Sequence, residues 1–156
     1  FLAKSTLASP TDGKFRFKLP GGSINSGEPP RHAACAKMTE TTSIHFNEKD
    51  LDLVGIMMQI TPGVTETNGF VFLYRAQKYA GNPILSEKLS EYNYFSHEEI
   101  IELAKEHQKN TIGLGYLRMI CHYINWKQNG GGAPFEIRLS DPVSISQKID
   151  LPLIKV

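Results

Sequence analysis

A loop of small residues feeds into a helix-like run that carries a lysine and a glutamate three positions apart. The loop is Leu19-Pro20-Gly21-Gly22-Ser23-Ile24-Asn25-Ser26-Gly27-Glu28, and the run behind it is Pro29 to Ile44. Glycine lets a backbone approach a ligand closely, and the free amides of a helix start favour an anion such as a phosphate. At about 100° per residue, Ala33, Lys37, Glu40 and Thr41 share one arc of that helix, and Ala34, Cys35 and Met38 share another. One arc is expected to pack and the other, with Lys37 and Glu40, to do chemistry. Gly21, Gly22 and Gly27 are expected where a side chain would clash or where φ is positive.

This spacing resembles the Nudix box: a Gly, five residues, a Glu, seven residues, then Arg-Glu-apolar-any-Glu-Glu-any-Gly-apolar. Gly22 and Glu28 fill the first two positions, and Leu19-Pro20-Gly21 is the family's usual approach to them. In the second half Ala36 stands at the Arg position and Lys37 at the Glu beside it. Glu40 and Thr41 stand at the Glu pair, Ser43 at the second Gly, and Met38 and Ile44 at the apolar positions. Ala36, Lys37, Thr41 and Ser43 therefore depart from the pattern, and the box is degenerate. A second likeness is the step Tyr94-Phe95-Ser96-His97-Glu98-Glu99, preceded by Glu87 and Glu91. The likeness covers roughly residues 1–107.

The resemblance implies an α/β fold, a Nudix-type α/β/α sandwich with a mixed sheet. In the family, helix glutamates bind Mg2+ or Mn2+ and help activate a water that attacks a pyrophosphate linkage. Carried over, it makes Glu40 and Glu28 the acids of any catalysis. It gives Gly21, Gly22, Lys37 and Phe17 to the substrate, and Glu40 and Gly22, with Glu87 or Glu91, to a metal. Nothing in the sequence selects between Glu87 and Glu91, and a solvated strand end is the plain reading of either. Phe17, Tyr74, Tyr79 and Tyr94 are core residues by default, with stacking on a nucleobase as the family's alternative use.

Only one acid is left in the second half of the box, and oxygen-seeking cations are held by several anionic oxygens or by substrate phosphates. Two function classes follow. The first is a Nudix-like domain that binds a nucleoside diphosphate-linked ligand or a protein partner, with hydrolysis weak or lost. The second is an active Mg- or Mn-dependent nucleoside diphosphate-X pyrophosphohydrolase. Loss of the Arg-Glu pair, of one later Glu and of the second Gly favours the first, as does Lys37 standing where the family has an acid. An ammonium can hold phosphate oxygens as a point charge but cannot generate a metal-bound hydroxide.

Composition sets the outer bounds. With 156 residues, 40% of them hydrophobic, the chain is long enough for one domain with a core and too short to argue for two. The expected division is a family-like core over 1–107 and a C-terminal helix and strand extension over 108–156. A net charge of +1 gives no strong case for nucleic-acid or membrane binding. Cys35 and Cys121 belong to no Cys-x-x-Cys pattern and read as reduced core thiols. His32, His45, His97, His107 and His122 show no zinc-ligand spacing, and neither a nucleophile elbow nor a Walker loop is present. The absence of a long apolar run or signal peptide points to a soluble, cytoplasmic protein. The chain begins at Phe1 without a Met, so the natural N-terminus is expected upstream.

The elements that must position the loop read as follows. Phe1 to Thr6 ends a strand, a loop holds Ser9-Pro10 and Asp12-Gly13, and Phe15, Phe17 and Leu19 alternate as a second strand. Pro29-Pro30 suits a first helical turn, with the helix ending near Thr42-Ser43. Leu51 to Ile60 is a nearly continuous apolar strand, and Gly69 to Gln77 is its antiparallel partner. Ser96 and Glu99 form a capping box that starts a helix running from about His97 to about His107. Thr111 to Lys127 is a third helix, stopped at Asn129 and Gly130. Phe135, Ile137 and Leu139 alternate as a strand, followed by an apolar-alternating tail over Val143 to Val156.

Overall fold

Among the described residues, strands gather into two three-stranded sheets with three helices around them. The computed structural model describes residues 1–6, 14–60, 68–105 and 111–139. The Ser9 to Gly13 loop, His107 and the Val143 to Val156 tail lie outside that set.

The first sheet has β1 (Leu2–Ser5) at its centre, antiparallel to β2 (Phe17–Lys18) on one side and to β5 (Leu89–Asn93) on the other. The alternation from Phe15 to Leu19 yields only the two-residue β2. Phe15 itself is exposed, so that pattern does not describe a full strand face. The second sheet is mixed: β3 (Leu51–Ile60) pairs antiparallel with β4 (Asn68–Ala76) and parallel with β6 (Phe135–Leu139). The β3–β4 register shifts between Leu53 and Gly55, where Val54 is the extra residue of a bulge. Gly55 lies under the Phe135 ring, and a Cβ there would run into Phe135 Cζ, so glycine is what allows the parallel strand to close in.

Helices cover both faces of the mixed sheet. Val71, Leu73, Met57 and Ile137 pack against Met119 and Tyr116 of α3 (Leu114–Gln128). Tyr74, one residue on from Leu73, instead meets the Arg31 side chain of α1 (Pro30–Thr42). Successive strand side chains point to opposite faces, so α1 and α3 lie on opposite sides. This is an α/β sandwich with a mixed sheet. The main core lies between the first sheet, α3 and α2 (His97–Lys105), where Leu2, Phe17, Ile100, Ala104, Ile112, Leu117, Cys121 and Ile124 are buried together.

The helix ends show what sets their lengths. Ser96 caps α2, its hydroxyl accepting from the Glu99 amide at 3.1 Å while the Glu99 carboxylate accepts from the Ser96 amide at 2.7 Å. α1 has proline in its first turn and ends at Ser43, whose φ of 57° places a non-glycine residue in the left-handed region. The Ser43 amide still donates to Thr39 O, which closes the last turn. Both cysteines are free thiols, with Cys121 buried and its thiol pushed up to about 11 by that burial. No described helix is long and apolar enough to cross a membrane.

Candidate functional site

The Leu19 to Glu28 loop folds back on itself through its own acid. The Glu28 amide donates to Asn25 O at 3.1 Å, and the Asn25 amide donates to Glu28 Oε2 at 3.0 Å. Gly27 completes this turn at φ 77°, a conformation that a side chain would strain. Glu28 is thus the clasp of the loop, and it does not line the cleft beside it.

That cleft has a volume of about 250 Å³ and lies between the loop, the C-terminal half of α1 and the start of β5. Its charged lining is Lys18, Lys37, Glu40 and Lys88, with Gly21 and Gly22 forming part of the wall. The Lys37 stem lies across Gly22, so that a Cβ on Gly22 would sit 2.8 Å from Lys37 Cδ. Gly21 has open space around it and no positive φ, contrary to the expectation that all three loop glycines are sterically required. At Gly22 the obstacle is a flexible side chain, so the glycine is needed for the placement of Lys37 rather than for the loop itself.

Glu40 is the electrostatic centre of the cleft. Its Oε2 accepts from Lys37 Nζ at 2.9 Å and its Oε1 from Lys88 Nζ at 2.9 Å, one ammonium on each oxygen. The Lys37 hydrogen bond, followed by that of Lys88, holds the Glu40 carboxyl down at about 2, and Glu40 in turn raises Lys88. Thr41 turns its hydroxyl back to Lys37 O at 2.7 Å, as threonines do when they bond the preceding turn. Thr42, fully buried, does the same to Met38 O at 2.8 Å.

The sequence-derived candidates separate in space. Gly21, Gly22, Lys37 and Glu40 come together in the cleft. Phe17 does not: it is buried in the core with its ring edge-on to Phe95 at 5.5 Å. Glu91 pairs with Lys4 across β1 and β5 at 3.4 Å, and Glu87 is exposed and outside the cleft lining. Ala33 is buried at 2% exposure, so the arc assigned to chemistry begins with a packing residue and its polar part is only Lys37, Glu40 and Thr41. Among the described residues no three His, Cys, Asp or Glu side chains come close enough to hold a metal ion.

The donor chemistry agrees with that geometry. A divalent cation in this cleft would have Glu40 as its one acidic side chain, and both Glu40 oxygens already face ammonium groups. The residues present do not fit Mg2+ or Mn2+. They suit an anion.

No protein-family model and no curated protein matches the sequence. A solved structure does. The chain is similar to the crystal structure of a MutT Nudix hydrolase from Burkholderia pseudomallei, at 21% identity and a TM-score of 0.47, over 65% of this chain and 83% of that one.

Lys88 and Lys18 are the charged cleft residues that the sequence does not reveal. Lys88 lies 48 positions from Glu40 and reaches it because the Thr41 and Thr42 carbonyls accept from the Ser86 and Ile84 amides, fastening the 84–86 segment along the end of α1. Neither lysine belongs to a motif. The nearest signal is a lysine beside the already noted Glu87.

Proposed function

We propose that this chain is a Nudix-like domain that binds a nucleoside diphosphate-linked ligand through its diphosphate, without a metal, and with hydrolysis weak or lost. The observation that carries this reading is the Lys37–Glu40–Lys88 arrangement, in which cations stand where a metal-dependent hydrolase needs free carboxylates. Lys37 pairs with Glu40 in the empty cleft and with phosphate oxygens in the filled one. Gly21 and Gly22 leave room for the diphosphate beside the Lys37 stem.

One backbone feature supports the family register. The box's second Gly corresponds to Ser43, and Ser43 is the αL residue that ends α1. A left-handed C-cap is a position where glycine is the favoured residue. The chain keeps the backbone conformation of that position with a different side chain. Within the first half of the box, Glu28 closes a turn with Asn25.

The test is calorimetry with a nucleoside diphosphate in EDTA on the parent and on Lys37→Met. Binding is expected to survive EDTA, to weaken with added salt, and to fall on Lys37→Met. No binding by the parent, or equal binding by both, overturns the reading. The hydrolase alternative is favoured by the loop-to-helix spacing and by the survival of Glu40. A phosphate-release screen over a nucleotide library with and without Mn2+ addresses it: turnover that needs Mn2+ and is abolished by Glu40→Gln would establish it.

A further inference from the structure

We infer that Glu40 acts as an internal competitor for the anion, occupying Lys37 and Lys88 until a diphosphate displaces it, and that Lys88 is a ligand-binding residue of the cleft. This rests on the reading above that the cleft binds a diphosphate. It reverses the role that the box position of Glu40 would suggest.

The geometry is that of a bridged ion pair. Each carboxylate oxygen faces a different ammonium at 2.9 Å, so Glu40 presents two anionic oxygens to two cations. The phosphoryl oxygens of a diphosphate offer the same pattern with more charge. Lys18, Lys37 and Lys88 line the cleft with one acid, an excess of positive charge that Glu87, acting on Lys88 from outside the lining, offsets only in part. An entering anion is therefore attracted before Glu40 is displaced, and once Glu40 leaves, the Lys37 and Lys88 ammoniums are open to it.

The participants can move as this requires. The Glu40 side chain is 45% exposed and that of Lys88 62%, so the carboxylate can turn to water and the Lys88 ammonium can follow the ligand. Lys37 is the more constrained, 30% exposed and lying over Gly22, and so supplies the fixed point. The exchange also sets selectivity. The two charge-assisted hydrogen bonds that Glu40 gives up must be replaced, and only an anion able to bridge both ammoniums replaces both.

Calorimetry with inorganic pyrophosphate in EDTA, on the whole chain and on Glu40→Gln, Glu40→Ala and Lys88→Met, tests this. Removing one opposing charge at contact distance in water is worth about a fivefold change in affinity. Both Glu40 variants are expected to bind pyrophosphate about fivefold more tightly than the parent. Lys88→Met is expected to bind it more weakly by a similar factor. A nucleoside diphosphate measured alongside separates the two readings. If the parent binds it in EDTA but neither Glu40 variant gains affinity, or Lys88→Met loses none, the competitor role falls and the binding function stands. If the parent and variants bind neither anion, both fall.

Discussion

Helices α1 and α3 are of comparable length, 13 and 15 residues, and they serve opposite ends. α3 buries Leu117, Met119, Cys121 and Ile124 and joins the main core to the mixed sheet. α1 buries only Ala33 and Thr42 and keeps Lys37 and Glu40 at the edge of a cleft. The contrast separates the helix that builds the core from the helix that carries the proposed site. A helix that contributes little to the core can carry charge on its inner edge, because the hydrophobic term that fixes the fold is supplied elsewhere.

The largest expected effect lies in α3. Leu117 is fully buried, and Leu117→Ala should lower the unfolding free energy by about 2–5 kcal/mol. Denaturant titration measures it. A loss under about 1 kcal/mol would mean that the α3 interface is not the core that its burial indicates.

Lys37→Met is the matching change in α1. It should leave stability within about 1 kcal/mol, the usual worth of one solvent-accessible ion pair, yet reduce diphosphate affinity about fivefold. Gly22→Ala should act in the same direction, because its new Cβ would push on the Lys37 stem while leaving the loop backbone unstrained. A fall in melting temperature for Gly22→Ala, with affinity unchanged, would assign Gly22 to the fold instead.

Ser43→Gly runs the other way. Releasing an L-residue from the left-handed region should raise stability by about 1 kcal/mol. The cleft should be unaffected.

The smallest effect is a titration. The Glu40 carboxyl is held at about 2, below its ordinary 4.5, by Lys37 and then Lys88. A depressed carboxylate contributes stability that is present above the unfolded value and is lost as pH falls through the folded one. The contribution should therefore be constant from neutral pH down to about pH 4.5 and fade towards pH 2. A carboxyl-carbon NMR titration should place the Glu40 midpoint near 2 in the parent and nearer 4.5 in the Lys37→Met, Lys88→Met double variant. An unchanged midpoint in the double variant would show that the lysines are not its cause.

Local patterns in the sequence were legible and long-range ones were not. The nearly continuous apolar run Leu51 to Ile60 is the strand β3, because such a mostly apolar stretch of ten residues between turn signals has few alternatives. The Ser96 and Glu99 capping box and the Lys37–Glu40 pair were readable because their partners are three residues apart. The default reading of Phe17 as a core residue holds, and the substrate role that the resemblance gave it does not, since its ring packs on Phe95 in the core. Ala33 was misplaced because helical angle alone does not tell which arc meets the sheet. Lys88 was invisible because the pairing that brings it to Glu40 depends on the 84–86 segment bonding the end of α1, a contact between distant parts of the chain. The parallel pairing of β6 with β3 belongs to the same class.

The central claim is that cations of the chain itself, rather than a bound metal, hold the diphosphate. It is tested most directly by measuring the affinity for one nucleoside diphosphate in EDTA and again in excess Mg2+. Equal or weaker binding in Mg2+ is the predicted result, since a metal on the ligand would compete with Lys37 and Lys88 for the same oxygens. Binding that appears only with Mg2+ would contradict the account.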